Sequence, residues 1–409
     1  KNFKDLVDDM TLNRQDIHSF AWKSKAMIAK MEYLVKQAKW EETYNWYLST
    51  RSTSRSLHCL ALNLAEEYAT NVEARSLLPL PQHFHRLTDR SLQHVVVLTD
   101  NVLAACAVVS STARASRDPG RLVFHVITDK KTYAPMNAWF ATNAAETGAV
   151  VEVKGLHQYD WSGEVNVSIE KMMEVHRRIW RFKYASLKTL MAFNDHELSV
   201  LNPSSTSLLN HLRMYLPELF PDLEKVVLLD DDVVVQRDLS SLWDLEMDRK
   251  VLGAVVHSEC PGRRYADYFD FTDGIISSMA DPERCGWLFG VNVFDLERWR
   301  RTNITSSYHQ WLQLYLKASS PLWNGAGVLP PALLAFHDQV HPIDPSWQLS
   351  GLGERYPPRL DDRDAEAAAG VLHFSGPGKP WLEIAPEELR NLWSRYVDSS
   401  NEHIRRCGI

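Results

Sequence analysis

Lys225-Val-Val-Leu-Leu-Asp-Asp-Asp-Val-Val-Val235 is an apolar run that meets three acids and then turns apolar again. Such a run reads as a buried strand, yet buried unpaired carboxylates are very costly, so the acids need a partner. In a strand, residues i and i+2 share a face, which projects Asp230 and Asp232 together and turns Asp231 away. Two carboxylates on one side at a strand end suit a hard divalent cation bound to a diphosphate. Helix capping is the competing reading of the same acids.

Upstream, His94-Val-Val-Val-Leu98 is bounded by Thr99-Asp100-Asn101 and followed by a helical stretch from Val102 to about Arg114. Val123-Phe-His-Val-Ile127 ends in Thr128-Asp129, and Val150-Val-Glu-Val153 follows. Strands alternating with helices predict a mostly parallel sheet covered on both faces, an α/β fold. Ligands of such sheets bind beyond the carboxyl ends of the strands, where Thr99, Asp100, Asn101 and Asp129 fall.

Downstream lies Gly370-Val-Leu-His-Phe-Ser-Gly-Pro-Gly-Lys-Pro-Trp381. His373 sits in a short apolar strand, as a satisfied core histidine or as a ligand. Gly376 and Lys379 follow in a loop of small residues, where backbone can approach phosphate and a lysine can meet a leaving group. Imidazole with two carboxylates makes a mixed nitrogen and oxygen set, for which Mn²⁺ is the expected ion and Mg²⁺ the alternative.

Residues 1 to about 80 read as a helical region, with apolar residues at helical spacing through Phe20, Met27, Met31, Leu34 and Val35, then Leu57, Leu60, Leu64 and Tyr68. Ser52-Thr53-Ser54 supplies caps for the second helix. Trp22, Trp40 and Trp46 are a heavy aromatic load, for packing within the region or for contact with a second copy or a related subunit. Leu77-Leu-Pro-Leu-Pro81 ends the pattern, and a second domain spans 90–409. The stretch 160–202 is polar and unassigned. Within it, His176-Arg-Arg-Ile-Trp-Arg-Phe-Lys-Tyr184 is either a solvated helix face or the wall of a groove for an acidic polymer. At ~100° per residue, Arg177 and Arg181 align as the stripe expected to meet such a polymer.

The 409 residues carry 45 Lys+Arg against 52 Asp+Glu, a net charge of −7 that gives no footprint for nucleic acid. Hydrophobic residues at 45% exclude disorder over most of the length. Five scattered cysteines leave room for one or two bridges, not a disulfide scaffold. Asn166-Val-Ser168 and Asn303-Ile-Thr305 are glycosylation sequons. No apolar run reaches the ~18–20 residues of a membrane span. Because the chain begins at Lys1, a removed N-terminal anchor is expected.

The D-x-D strand, the H-x-x-G-x-x-K loop and the stretch from His94 to Ala104 together resemble glycosyltransferase family 8, retaining enzymes that use nucleotide-sugar donors. Asn210-His-Leu-Arg-Met-Tyr-Leu-Pro-Glu-Leu-Phe-Pro221, Cys285-Gly-Trp-Leu-Phe-Gly-Val-Asn-Val-Phe-Asp-Leu296 and Lys379-Pro-Trp-Leu-Glu-Ile384 look like the plant galacturonosyltransferases within it. The resemblance implies a GT-A-type domain and UDP-galacturonate as donor. It also implies α-1,4 growth of an anionic homogalacturonan chain, the pectin backbone, in the Golgi lumen. Asp230, Asp232 and His373 would hold Mn²⁺; Gly376 and Lys379 would contact the diphosphate. Thr99 and Asn101 would meet the nucleoside and Arg213 would face the donor, with Asp231 and Gly290 completing the substrate-binding set. Lys379 and Asp230 are the expected catalytic residues.

Three positions depart from wider family patterns. A D-Q pair of bacterial relatives is replaced by Val328-Leu-Pro-Pro331, an N-x-G motif by Leu288-Phe-Gly290, and a histidine after the tryptophan by Gln348. The last change argues against a histidine contact to the acceptor there. Retention without an evident nucleophile suggests a front-face route. A catalytically silent subunit would be expected to lose its metal ligands, and this chain keeps them. A transferase for another UDP-sugar is the remaining alternative.

Overall fold

In the computed structural model of the chain, the described residues are 12, 16–51, 54–143, 147–161, 163–191, 208–256, 260, 262–323, 327–354 and 369–409. Two compact units part between Ser52 and Thr53. The first is described by helix α1 (Ile17–Arg51), on which Trp22, Ile28, Met31 and Leu34 are exposed. The division expected near residue 80 therefore falls earlier in the chain. The reason is the second helix, α2 (Arg55–Thr70), which buries Leu60 and Leu64 in the core of the second unit. A disulfide from Cys59 to Cys407 ties it there. Ser54 stands at its N-cap, but its side chain makes no capping bond, contrary to expectation.

The second unit is built on a seven-stranded sheet in the order β3-β2-β1-β4-β7-β6-β8. Its strands are β1 (Gln93–Leu98), β2 (Leu122–Thr128), β3 (Val150–Gly155), β4 (Lys225–Leu229), β6 (Leu252–Val255), β7 (Val291–Asp295) and β8 (Val340–Ile343). Neighbouring strands run parallel except where β7 pairs antiparallel with β4 and β6. The expected mostly parallel α/β sheet is present.

Alternation along the strands explains the layers. Val95 and Val97 of β1 enter one apolar cluster while Val96 and Leu98 enter another, and Val227 and Leu229 of β4 part from Val226 and Leu228 in the same way. The first cluster takes up α2, α3 (Val102–Ala115) and α4 (Tyr133–Asn143). The second takes up α5 (Gly163–Met191), α6 (Ile304–Lys317) and α7 (Leu329–Ala335). The unassigned stretch after residue 160 thus contains a long helix, whose side chains Val165, Met172, Val175 and Ile179 are buried at helical spacing.

A smaller sheet, β5-β10-β9, stands beside the first: β5 (Val233–Val235), β9 (Gln348–Ser350) and β10 (Val371–His373). The strand order also reverses at β1, which has β2 on one side and β4 on the other, so the crevice lies between the ends of β1 and β4.

Candidate active site

The three acids do not lie within one strand. β4 ends at Leu229, Asp230–Asp232 form a turn, and β5 begins at Val233 in the smaller sheet. The turn is held by main-chain bonds: Asp230 N–H donates to Gly290 O (3.0 Å) and Phe374 N–H donates to Asp232 O (2.8 Å). The period-2 expectation still describes the outcome, because Asp230 and Asp232 converge and Asp231 departs to accept a bond from Thr99 Oγ1 (2.7 Å). Burial and the neighbouring Asp232 push Asp231 up to about 7, against the Thr99 bond.

β10 pairs antiparallel with β5, setting His373 opposite Val233 and so beside the acids. His373 Nε2 lies 3.2 Å from Asp232 Oδ1 and 3.6 Å from Asp230 Oδ2. These separations fit one small cation: ligand atoms about 2.1 Å from a common ion, at right angles, stand about 3 Å apart. Lys379 Nζ donates to Asp232 Oδ2. Burial alone would raise Asp232, but Lys379 and His373 hold it well below the usual carboxylate range. Asp232 in turn raises Lys379 despite that lysine's own desolvation.

The loop after His373 depends on small residues. Gly376 has φ +114°, and a Cβ there would lie 2.5 Å from Gly353 O and Glu354 N. Gly378 N–H donates to Gly353 O (2.7 Å), and Gly353 N–H donates to Ser375 O (3.0 Å), so two loops are zipped together behind Lys379.

Arg213 completes the wall. Its Nη2 is 3.1 Å from Asp230 Oδ1, and Asn210 accepts from Nε and Nη2, each at 2.9 Å. The guanidinium lies over the Phe289 ring, 4.0 Å from its centre. Arg213, Asp230, Asp232, His373, Gly376 and Lys379 all line one cleft of about 590 Å³, which Asp231 also reaches.

Other expected contacts lie elsewhere. Thr99 is buried with its hydroxyl on Asp231, and Asn101 Oδ1 caps α3 by accepting from Leu103 and Ala104 N–H. Neither lines the cleft. Gly290 lies behind the acid cluster: at φ +117°, a Cβ there would meet His373 Nδ1 at 2.6 Å. It makes room for the imidazole. Arg177 is exposed and paired with Glu174 on its own helix (3.0 Å), away from the cleft lining, and the Arg181 side chain lies outside the described residues. Arg178 donates to Leu316 O and Ala318 O at the end of α6.

Sequence reasoning did not single out Arg263, Tyr268 or a site role for Gln348. Arg263 and Tyr268 line the cleft, and Gln348 is buried against His373. The available signal for Gln348 was its departure from the family pattern after Trp347.

The chain matches Glycosyl transferase family 8 over residues 59–385. It is 44% identical over its whole length to "Probable galacturonosyltransferase 13" of Arabidopsis thaliana and 43% identical to "Probable galacturonosyltransferase 14" of that plant, covering 78% of each. Among solved structures, the apo bifunctional glycosyltransferase WbbM superposes with a TM-score of 0.53 at 16% identity, covering 78% of this chain and 51% of that one. That likeness speaks for the fold alone, a GT-A-type arrangement.

Proposed function

Since this chain belongs to glycosyltransferase family 8 and is a hexosyltransferase, we propose that it moves galacturonate from UDP-galacturonate to a growing homogalacturonan chain, with retention and an α-1,4 linkage. The observation that carries the reading is the convergence of Asp230, Asp232, His373 and Lys379 on one cleft. A silent subunit would have no reason to maintain that set.

Asp230, Asp232 and His373 would hold a divalent cation, Mn²⁺ by the mixed donor set and Mg²⁺ otherwise. Bound there, the ion would supply counter-charge to the diphosphate of the donor. The protein's own part is electrostatic and positional. Lys379, fixed by Asp232 and by its contact with Phe374 O (3.4 Å), meets negative charge that grows on the departing diphosphate. The Gly376 turn lets backbone approach the phosphates. Arg213, clamped by Asn210 and Asp230, orients the donor sugar. Front-face retention then requires only that the acceptor hydroxyl sit beside the anomeric carbon, with the leaving diphosphate taking its proton.

A secretory, oxidising compartment such as the Golgi lumen agrees with two disulfides, Cys59–Cys407 and Cys260–Cys285. No helix among the described residues is long and apolar enough to cross a membrane. The deciding experiment measures UDP release from a panel of UDP-sugars, with and without oligogalacturonide acceptors and with each metal. Transfer from UDP-galacturonate that lengthens the acceptor supports the reading; preference for another donor, or no turnover with any, overturns it.

A further inference from the structure

Arg213 and Lys379 spend their charge on Asp230 and Asp232, but a third cation in the cleft has no such partner among the described residues. Arg263 is half-buried in the cleft lining, and no carboxylate among the described residues lies within ion-pair distance of it. Its backbone is held on both sides. Arg263 N–H donates to Cys260 O (3.0 Å), Gly286 N–H donates to Arg263 O (2.9 Å), and the Cys260–Cys285 disulfide closes the loop between them.

Gly286 also has a reason to be glycine. A Cβ there would lie 3.2 Å from Arg263 O and 3.3 Å from Tyr268 Cε2, so its absence lets the Tyr268 ring and the Arg263 backbone pack closely. Tyr268 lines the same cleft. The loop therefore presents a guanidinium and a flat ring from one stapled support.

A half-buried guanidinium with no carboxylate beside it among the described residues is costly unless the occupant of the cleft brings the negative charge. Its planar fork matches a carboxylate in two parallel hydrogen bonds. The diphosphate already has Lys379 and the cation that Asp230, Asp232 and His373 would hold. We propose that Arg263 binds the carboxylate of a hexuronosyl unit, with Tyr268 as the wall under the sugar ring; this rests on the uronate-transfer reading above. The carboxylate could be the donor's or the acceptor's, and the test separates them.

Binding to the full chain is measured by calorimetry, independently of turnover, in two arms. One compares UDP-galacturonate with the neutral UDP-galactose; the other compares an oligogalacturonide with its methyl ester. Arg263→Gln should weaken the free acid about tenfold or more in one arm, the arm identifying the source, and leave the neutral form unchanged. Arg263→Lys should recover part of the loss. A wild-type preference for the acid that survives in Arg263→Gln overturns the assignment, as does equal weakening of acid and neutral forms. A wild-type chain with no preference in either arm overturns the uronate reading beneath it.

Discussion

Gln348 and His373 are buried side by side, with the amide Nε2 3.1 Å from the imidazole Nδ1. The amide cannot turn freely, because Oε1 accepts from Val291 N–H (3.2 Å) and Nε2 donates to Phe289 O (2.7 Å). One face of the imidazole is thus fixed by β9 and β7, and Nε2 is left facing Asp230 and Asp232. The residue that departs from the plant pattern is a support for the acid–histidine cluster, not an acceptor contact.

Gln348→Met should therefore lower transfer about 10-fold or more, because the imidazole loses the neighbour that holds its orientation. The loss should lie largely in apparent metal affinity, read as the Mn²⁺ concentration for half-maximal rate. An unchanged metal requirement would reduce the amide to a space-filling role.

Lys379 and Asp232 form a pair whose two ends have different duties. Asp232→Ala or His373→Ala should abolish transfer with the fold intact by circular dichroism. Lys379→Ala should lower kcat more than it raises the donor KM, since the charge it meets develops during departure. It should also destabilise the chain by roughly 1–3 kcal/mol, because the buried Asp232 carboxylate loses its ammonium partner. A change confined to donor KM would contradict the leaving-group role.

At the other end of the strands, His94 Nδ1 is 3.0 Å from His125 Nε2, and His125 Nδ1 is 2.6 Å from Glu152 Oε2. His94 Nε2 faces Asp89 O (2.8 Å), and Phe220 closes over His125. Burial, with His125 beside it, lowers His94 from 6.5 to about 4. The unfolded chain then binds a proton that the native chain refuses, so stability falls as pH drops from about 6.5 toward 4. The loss is on the order of 3 kcal/mol. Glu152 acts in the same direction: burial opposes its charge, but His125 and Lys154 hold its carboxyl below the usual value, and that stability too is lost on acidification. Urea melts across this window should show the slope in the wild type and a flatter one in His94→Gln. Equal slopes would remove His94 from the account.

The division at Ser52 gives the fourth expectation. A chain beginning at Thr53 keeps α2, the Cys59–Cys407 bridge and every described residue lining the cleft. It should melt within a few degrees of the longer chain and retain donor hydrolysis. A chain beginning at residue 81 removes Leu60 and Leu64 from the core and should fail to fold, at about 2–5 kcal/mol for each large buried side chain deleted. If both truncations behave alike, the helical region is separate from the catalytic unit after all.

The parallel strands β1 to β4 were legible because each is a short apolar run with turn residues after it, a local pattern; β6 and β8 were not. The acid turn and the His373–Lys379 loop were legible for the same reason: each carries its chemistry within a dozen residues. The helix after residue 160 was not, because its polar face hides the period until Val165, Met172, Val175 and Ile179 meet the core. Other roles belong to pairs far apart in the chain. Thr99 spends its hydroxyl on Asp231, Asn63 reaches Cys407, and Gln348 supports His373 across two strands. Five cysteines permit many pairings, and only proximity selects Cys59 with Cys407 and Cys260 with Cys285. Composition and local spacing determined the fold class, the acids and the loop that faces them. The tertiary structure alone decided which polar groups are spent on one another and which, like Arg263, are left to meet a ligand, because a side chain's partner is set by folded distance and not by position in the chain.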